Sequence, residues 1–393
     1  MSDSNKVIKI LVGGDFCPWE RLQDKISRQS FDELFSTVKP VAEAHDAFIL
    51  NFETVVNSET DKPINKFGAH LSTTENAIAA LKWIGVSAVT LANNHFMDYG
   101  QSAAEWTRSL FGKANICHVG AGVNLEDAKR NLLLNVKGKR IAVINACEHE
   151  FSVAGESQFG CNPINPIEFS YQIKEARQSA DYVVCIIHGG NEHYQLPSPR
   201  MKKWYQFFVD CGADAVINHH QHCFSGYEVY QGKPIFYGLG NFCFDSSSDN
   251  KYRHKTWNYG YMVSLSFDDG NVAFELVPYE QCWELPGTFV YQTEDDKKRF
   301  FEEIDMLNRT IADNKQLTDK YRQMALSRRD VMYSGFRPYS NRILSTLYAH
   351  GLLPSLISKK RLTLIKAFFD CEAHHEVLMY NLSNDDTSSK PKL

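Results

Sequence analysis

Val86-Ser87-Ala88-Val89-Thr90-Leu91-Ala92-Asn93-Asn94-His95-Phe96-Met97-Asp98-Tyr99-Gly100 is a short apolar run that ends in a cluster of amides, an imidazole and a carboxylate. Asp214-Ala215-Val216-Ile217 ends the same way, in Asn218-His219-His220-Gln221-His222. Apolar runs this short, bounded by polar residues, read as buried strands. Three more runs repeat the pattern. Residues 7–12 pass into Gly13-Gly14-Asp15, 47–50 into Asn51-Phe52-Glu53, and 182–187 into His188-Gly189-Gly190-Asn191-Glu192. Helical spacing fills the gaps at 31–44, from Thr73-Thr74-Glu75 to a C-terminal Gly85, and at 101–112, 167–180 and 199–211, with Pro199 at a tolerated early position. Residues 132–136 and 140–146 read as paired strands joined by Lys137-Gly138-Lys139.

After the second cluster the texture changes. Residues 227–230, 234–238, 261–267 and 272–277 are short strands with tight-turn signals, of which Asp269-Gly270 is the strongest. Units of β-α first and antiparallel hairpins last predict an α/β sandwich with a mixed sheet. In parallel α/β sheets ligands bind beyond the carboxyl ends of strands. Five predicted strands end there in a metal-ligand type: Asp15, Glu53, Asn94 with His95, His188, and His220 with His222. Each has an ordinary reading alone, as a turn aspartate, a loop amide or a hydrogen-bonded core histidine. Their equivalent placement favours a shared rim. If residues 219–222 are extended, alternate side chains face one way, so His220 and His222 converge while His219 points elsewhere.

The net charge of −5 gives no electrostatic case for nucleic acid. Ten cysteines, none in a C-x-x-C pair and several inside apolar runs, read as buried thiols and not a disulfide framework. No apolar stretch is long enough to span a bilayer and no signal h-region opens the chain, so a cytoplasmic location is expected. From about residue 290 the chain turns helical and charged, which predicts a domain over 1–288, a helical extension over 289–383 and a disordered tail over 384–393. Leu352 to Phe369 reads either as a membrane-surface helix or, more simply, as a helix packed on the catalytic domain or on a second copy, which would make a homo-oligomer.

Gly14-Asp15, Asn51-Phe52-Glu53, Leu91-Ala92-Asn93-Asn94-His95 with Asp98 and Gly100, His188-x-Gly190-x-Glu192, and His219-His220-Gln221-His222 resemble the ordered motifs of the CapA family of poly-γ-glutamate capsule synthesis, related to the calcineurin-like metallophosphoesterases. Gly232 to Phe242 is similar to a further signature of that family. The resemblance spans roughly 7–280 and omits the helical C-terminal region. It implies a sandwich of two mixed sheets flanked by helices, with one or two divalent ions of manganese, iron or zinc. It implies Asp15, Glu53 and His222 around one metal, and Glu53, Asn94, His188 and His220 around a second. His95 would donate a proton or clamp the transition state, with Asp98 orienting it.

The chain departs from the metallophosphoesterase pattern where Asp-x-His is usual and Asp15-Phe16-Cys17 stands. The first metal is then short of a ligand, and Cys17 either offers a thiolate or is an inert buried thiol. Glu192 has three open readings: metal ligand, base, or ion-pair partner of Arg200. Lys66-Phe67-Gly68-Ala69-His70 replaces an Arg-Ala-Pro segment of many CapA-like chains, making Lys66 and His70 candidate substrate contacts, with Arg200 and Asn241 as further candidates. The expected activity is metal-dependent hydrolysis of a phosphoester or an amide-linked polyglutamate or envelope polymer, so the expected partner is an anionic small molecule or polymer. The alternative is a non-hydrolytic, metal-binding accessory subunit that works with biosynthetic partner proteins.

Overall fold

The computed structural model describes residues 7–66, 68–246, 256–327 and 341–358, with Arg361, Leu362, Ile365 and Phe369. Two sheets are stacked in the first compact unit, Met1–Asp319. The larger sheet has eight strands. They are β1 (Ile8–Cys17), β2 (Ala47–Phe52), β3 (Ala88–Thr90), β4 (Cys117–Val119), β13 (Asn241–Phe244), β14 (Tyr259–Asp268), β15 (Asn271–Gln281) and β16 (Thr288–Val290). Its order is β16-β15-β14-β1-β2-β3-β4, with β13 also paired to β1. The second sheet has six strands: β6 (Leu132–Val136), β7 (Lys139–Cys147), β9 (Tyr182–His188), β10 (Ala215–His219), β11 (Tyr227–Tyr230) and β12 (Lys233–Phe236), ordered β11-β12-β10-β9-β7-β6. A short pair, β5 (Ala121–Gly122) and β8 (Gly160–Cys161), lies beside them in sequence.

The central strands are parallel within each sheet, and the antiparallel hairpins sit at the edges. That is the expected sandwich of two mixed sheets. The apolar runs are near-continuous because both faces of each sheet are covered. Along β1, Leu11 joins the core under the helices and Val12 the core between the sheets, as the two-residue strand period requires. Val12, Ile49 and Ala88 meet Val143, Val184, Ile186 and Ile217 in the middle layer. Helices α1 (Arg21–Ser27), α2 (Phe31–Phe35), α3 (Lys39–Glu43), α4 (Asn76–Ile84) and α5 (Gly100–Ala114) supply Leu34, Leu81 and Phe111 to the outer core of the larger sheet. Between the sheets in sequence comes α6 (Leu125–Ala128), and α7 (Pro166–Ser179) and α8 (Pro199–Asp210) cover the smaller sheet through Phe169, Ile173 and Phe208.

Several local expectations hold. Gly85 ends α4 at φ 99°, Pro199 opens α8 behind a Ser198 cap, and Asp269-Gly270 turns β14 into β15 with φ of 41° and 84°. Others are corrected. The single helix expected at 31–44 is two, α2 and α3, separated at Ser36-Thr37-Val38, with Pro40 near the start of the second, where a missing N–H is tolerated. β1 does not stop at Val12 but continues to Cys17 through a bulge, because Val12 faces Ile49 while Asp15 faces Asn51. Asp15 therefore sits inside a strand, one extra residue having been absorbed at Gly13-Gly14.

The first compact unit reaches Asp319. The helical extension expected from residue 289 contributes α9 (Glu294–Ala312) to that unit, where Phe300 and Ile304 close the layer between the sheets. Helix α10 (Asn314–Ser327) begins there with Leu317 buried. The second unit, Lys320–Leu393, holds a helix over Arg342–Ala349 capped by Asn341, whose side chain accepts from Ile343 N at 2.8 Å. The expected tail, and much of the segment read as amphipathic, lie outside the described residues. Among the described residues no helix is long and apolar enough to cross a membrane, and the nine cysteines are free.

Candidate metal centre

The carboxyl ends of β1, β2, β3, β9 and β10 meet at one end of the sandwich and deliver all six residues expected to hold metal. Two donor groups result: Glu53 with His188 and His220, and Asp15 with Glu53 and His222, each with its ligand atoms within 4.8 Å of one another. Glu53 belongs to both. At the second position His188 Nε2 lies 3.0 Å from Asn94 Oδ1, 3.0 Å from His220 Nδ1 and 3.4 Å from Glu53 Oε1. A cation bonded at roughly 2.1 Å holds its ligand atoms roughly 3.0–3.4 Å apart, so these edges suit a divalent ion. Glu53 is wholly buried, and neither of its oxygens accepts a hydrogen bond from the protein. A buried carboxylate without donors is costly unless a cation meets it. The donor set thus fits the group that the resemblance implies.

The convergence of His220 and His222 has a different origin from the one expected. Strand β10 ends at His219, and the next residues bend, with φ of 90° at His220 and 53° at His222. Left-handed backbone at two non-glycine residues is strained and survives where the surroundings hold it. Here the His220 N–H donates to Asp15 Oδ2 at 3.3 Å, and His222 Nδ1 donates to Asn241 Oδ1 at 2.9 Å. A carboxamide oxygen only accepts, so His222 carries its proton on Nδ1 and turns Nε2 toward Glu53 Oε1, 3.7 Å away. Asn241 is therefore no substrate contact. Its amide also donates to His222 O and Trp257 O, fixing the bend from behind. His219 lies outside both donor groups but not away from the site: it is buried, with Nδ1 3.4 Å from Asp15 Oδ1. Cys17 also lies outside them. It packs with Leu71, Phe244 and Trp257, and burial raises its thiol well above the usual range, so the thiolate reading is not supported.

Beside the second position His95 Nδ1 donates to Asp98 Oδ2 at 2.7 Å, and Leu71 N donates to the same carboxylate at 2.7 Å. Lys66 forms an ion pair with Asp98, its side chain only 2% exposed, and its Nζ is 3.2 Å from His95 Nδ1. Lys66 is committed to this dyad, although it also lines a cavity of about 430 Å³ with His95, Asn94, Glu150, Glu192, Trp257 and others. His70 turns away: its Nε2 bonds Ile64 O at 2.7 Å, and it does not line the cavity. Arg200 is likewise corrected. It pairs with Glu148 and stacks on Trp204, its guanidinium 4.5 Å from the ring centroid. Glu192 Oε2 lies 3.8 Å from His193 Nε2, and its side chain, 47% exposed, lines the cavity.

Sequence reasoning missed Glu150. The run 140–146 reads in sequence as one arm of a hairpin, whereas β7 also pairs in parallel with β9, so its end reaches the same rim. The signal available was Glu148-His149-Glu150 directly after an apolar run.

Burial dominates the electrostatics. It pushes the Asp15 carboxyl up to about 7, against the opposing pull of the Asn51 amide and the His220 N–H. It pushes Glu53 well above the carboxylate range, helped by the charges of Asp15 and Glu192. The same burial holds His188 well below its usual value, His220 at about 3 and His222 at about 4. The imidazoles are thus neutral and ready to ligate, while the metal-free carboxyls hold protons. For Asp15 the folded value lies above the unfolded 3.8, so its contribution to metal-free stability is full below 3.8 and lost as pH rises through about 7. A cation competes with those protons and restores the loss. The metal-induced rise in melting temperature should therefore be small at pH 5 and large at pH 8. Thermal melts of metal-free and metal-loaded protein across that range check it, and equal increments would contradict it.

Residues 9–246 match the family model described as "Bacterial capsule synthesis protein PGA_cap". The chain belongs to this family. It is 34% identical over 249 residues to "Capsule biosynthesis protein CapA" of Bacillus anthracis, covering 61% of each chain. It is 33% identical over 245 residues to "PGA biosynthesis protein CapA" of Bacillus subtilis (strain 168), covering 62% of this chain and 64% of that one. A "Probable polyglutamine synthesis accessory protein" of Mycobacterium tuberculosis is 25% identical over 211 residues, covering 50% of this chain and 55% of that one. The chain thus matches about three fifths of the length of its first two relatives. Among solved structures, a "novel phosphatase" of Mycoplasma pneumoniae overlaps with a TM-score of 0.45 at 13% identity, covering 76% of this chain and 99% of that one, a likeness on which nothing below rests.

Proposed function

We propose that the protein is a metal-dependent hydrolase acting on a phosphoester or on an amide-linked polyglutamate or envelope polymer. The observation that supports this most is Glu53, a buried carboxylate with no protein donors, shared by two ligand groups beside the His95–Asp98 dyad. Divalent cations in such a site polarise water and neutralise charge developing on a phosphoryl or carbonyl oxygen. The chain's own residues supply the rest. Asp98 fixes the His95 proton on Nδ1, leaving Nε2 to hold or deliver a proton at the leaving group. Lys66 compensates the buried Asp98 charge, so the dyad stays in place without substrate. Phe151, Phe244 and Trp257 wall the cavity and limit water.

The test is hydrolysis by protein stripped and reloaded with manganese, iron or zinc, on a panel of phosphoesters and on polyglutamate. His95→Ala should lower kcat by roughly 10²–10⁴ at unchanged metal content. A wild-type protein that takes up no metal, or a His95→Ala variant as active as wild type, would overturn the reading.

A second reading is a metal-binding accessory subunit of a capsule-polymer assembly. It is favoured by Cys17, which leaves the first position with three donors, and agrees with the accessory role in the name of the mycobacterial relative. Metal uptake without hydrolysis, together with stable co-purification of a biosynthetic partner, would select it.

A further inference from the structure

Two acids follow β7, and only one of them is explained by the site as described so far. Glu148 accepts from Gly190 N at 3.1 Å and pairs with Arg200, which fastens the loop after β9. Glu150 instead lines the cavity, its side chain 36% exposed, with Oε1 3.7 Å from His220 Nε2. Burial pushes the Glu150 carboxyl up, and the neighbouring Asn94 side-chain amide pulls it back down. Both neighbours are ligand candidates of the second metal position, and each presents its other polar atom to His188 Nε2: Asn94 Oδ1 at 3.0 Å and His220 Nδ1 at 3.0 Å.

We propose that Glu150 is the positioning carboxylate of the second metal position, its negative charge facing the NH₂ of Asn94 and the Nε2–H of His220 so that Asn94 Oδ1 and His220 Nδ1 stay turned toward Glu53 and His188. The reason is the donor arithmetic of the three groups. An ionised carboxylate only accepts, so it selects the rotamer of Asn94 that points NH₂ at it and excludes the flipped amide. It likewise selects the Nε2–H tautomer of His220, which leaves the Nδ1 lone pair for a cation. One side chain thus fixes two ligands, as carboxylates behind metal-bound histidines commonly fix one. Asn241 does the corresponding work for His222 at the first position. The inference rests on the metal-dependent reading above and adds to it a residue that touches neither the metal nor the reacting atoms.

The experiment is titration of metal-free wild type, Glu150→Ala, Glu150→Gln and Glu192→Ala with Mn²⁺ or Zn²⁺, followed by calorimetry and by metal content after gel filtration. Glu192 lines the same cavity, so its variant measures the effect of simply removing a negative charge. Glu150→Ala should weaken one metal equivalent about 10–100-fold and leave the other within about threefold. Glu150→Gln keeps one acceptor oxygen and should fall between Glu150→Ala and wild type. The metal-free melting temperatures should match, because Glu150 is partly exposed. Unchanged affinity in Glu150→Ala and Glu150→Gln would overturn the proposal, and so would equal losses in Glu150→Ala and Glu192→Ala. A wild type that binds no metal would overturn the metal-dependent reading itself, which keeps the two failures apart.

Discussion

Glu53→Gln should abolish uptake of both metal equivalents and make the metal-free protein more stable. Glu53 is the only residue common to both donor groups, so its loss leaves the first position with Asp15 and His222 and the second without its carboxylate. If the protein is a hydrolase, activity should fall by at least about 10³, since chemistry that depends on a cation disappears with it. The stability change has the opposite sign. Burial and the charges of Asp15 and Glu192 already push the Glu53 carboxyl well above its usual range, so the charge is unwelcome without metal. A glutamine has the same shape and no charge; His188 Nε2–H, which donates to Asn94 Oδ1, lies 3.4 Å from Glu53 Oε1 and can meet only the amide oxygen, while the lone pair of His222 Nε2 lies 3.7 Å away. Replacing a buried carboxylate that has no protein donors with a neutral amide should stabilise the metal-free fold by about 1–3 kcal/mol. Metal analysis after gel filtration and melting with and without metal check both signs. A variant that still takes up metal, or is less stable than wild type when both are metal-free, would contradict the shared-ligand geometry.

Gly14→Ala should destabilise the protein by about 3 kcal/mol or more. A Cβ at Gly14 would lie 1.9 Å from the carbonyl oxygen of Gly240 and 3.2 Å from Phe242 N. Those are backbone atoms of β13 and the turn before it, so no side chain can swing aside. The Asp15 N–H donates to the same Gly240 oxygen at 3.2 Å, and Asp15 pairs with Asn241 in register. Relief of the clash must part β1 from β13 and carry Asn241 away from His222, so metal uptake at the first position should weaken as well. Gly112→Ala is the control: nothing lies within 4 Å of its Cβ position, it is helical, and the change should be neutral or stabilising by up to about 1 kcal/mol. Denaturant midpoints compare the two, and equal midpoints for Gly14→Ala and wild type would contradict the close approach.

Much of the rim was legible because its residues are attached to strong local signals. The runs before Glu53, Asn94, His188 and His220 are apolar, short and closed by polar residues, and that pattern marks a buried strand with its end at the surface of the core. What failed was what depends on partners distant in sequence. His70 is a candidate contact because its segment replaces the Arg-Ala-Pro of CapA-like chains, and Arg200 because it follows the His188 motif that ends in Glu192, yet Ile64 O holds the first and Glu148 the second. Glu150 was hidden because the hairpin with β6 is local, whereas the parallel pairing of β7 with β9 is not.

The sequence by itself determined the succession of the main strands along the chain, the mix of β-α units and antiparallel hairpins, and most of the residues gathered at the strand ends. These follow from hydrophobic period and turn chemistry, which act over a few residues. Only the tertiary structure decided how those residues are held. Gly14 must be glycine because Gly240 approaches it, His222 keeps its proton on Nδ1 because Asn241 accepts it, and His220 converges through a left-handed bend anchored on Asp15. Each of these depends on a distance of a few ångströms between segments far apart in the chain, and no local pattern encodes such a distance.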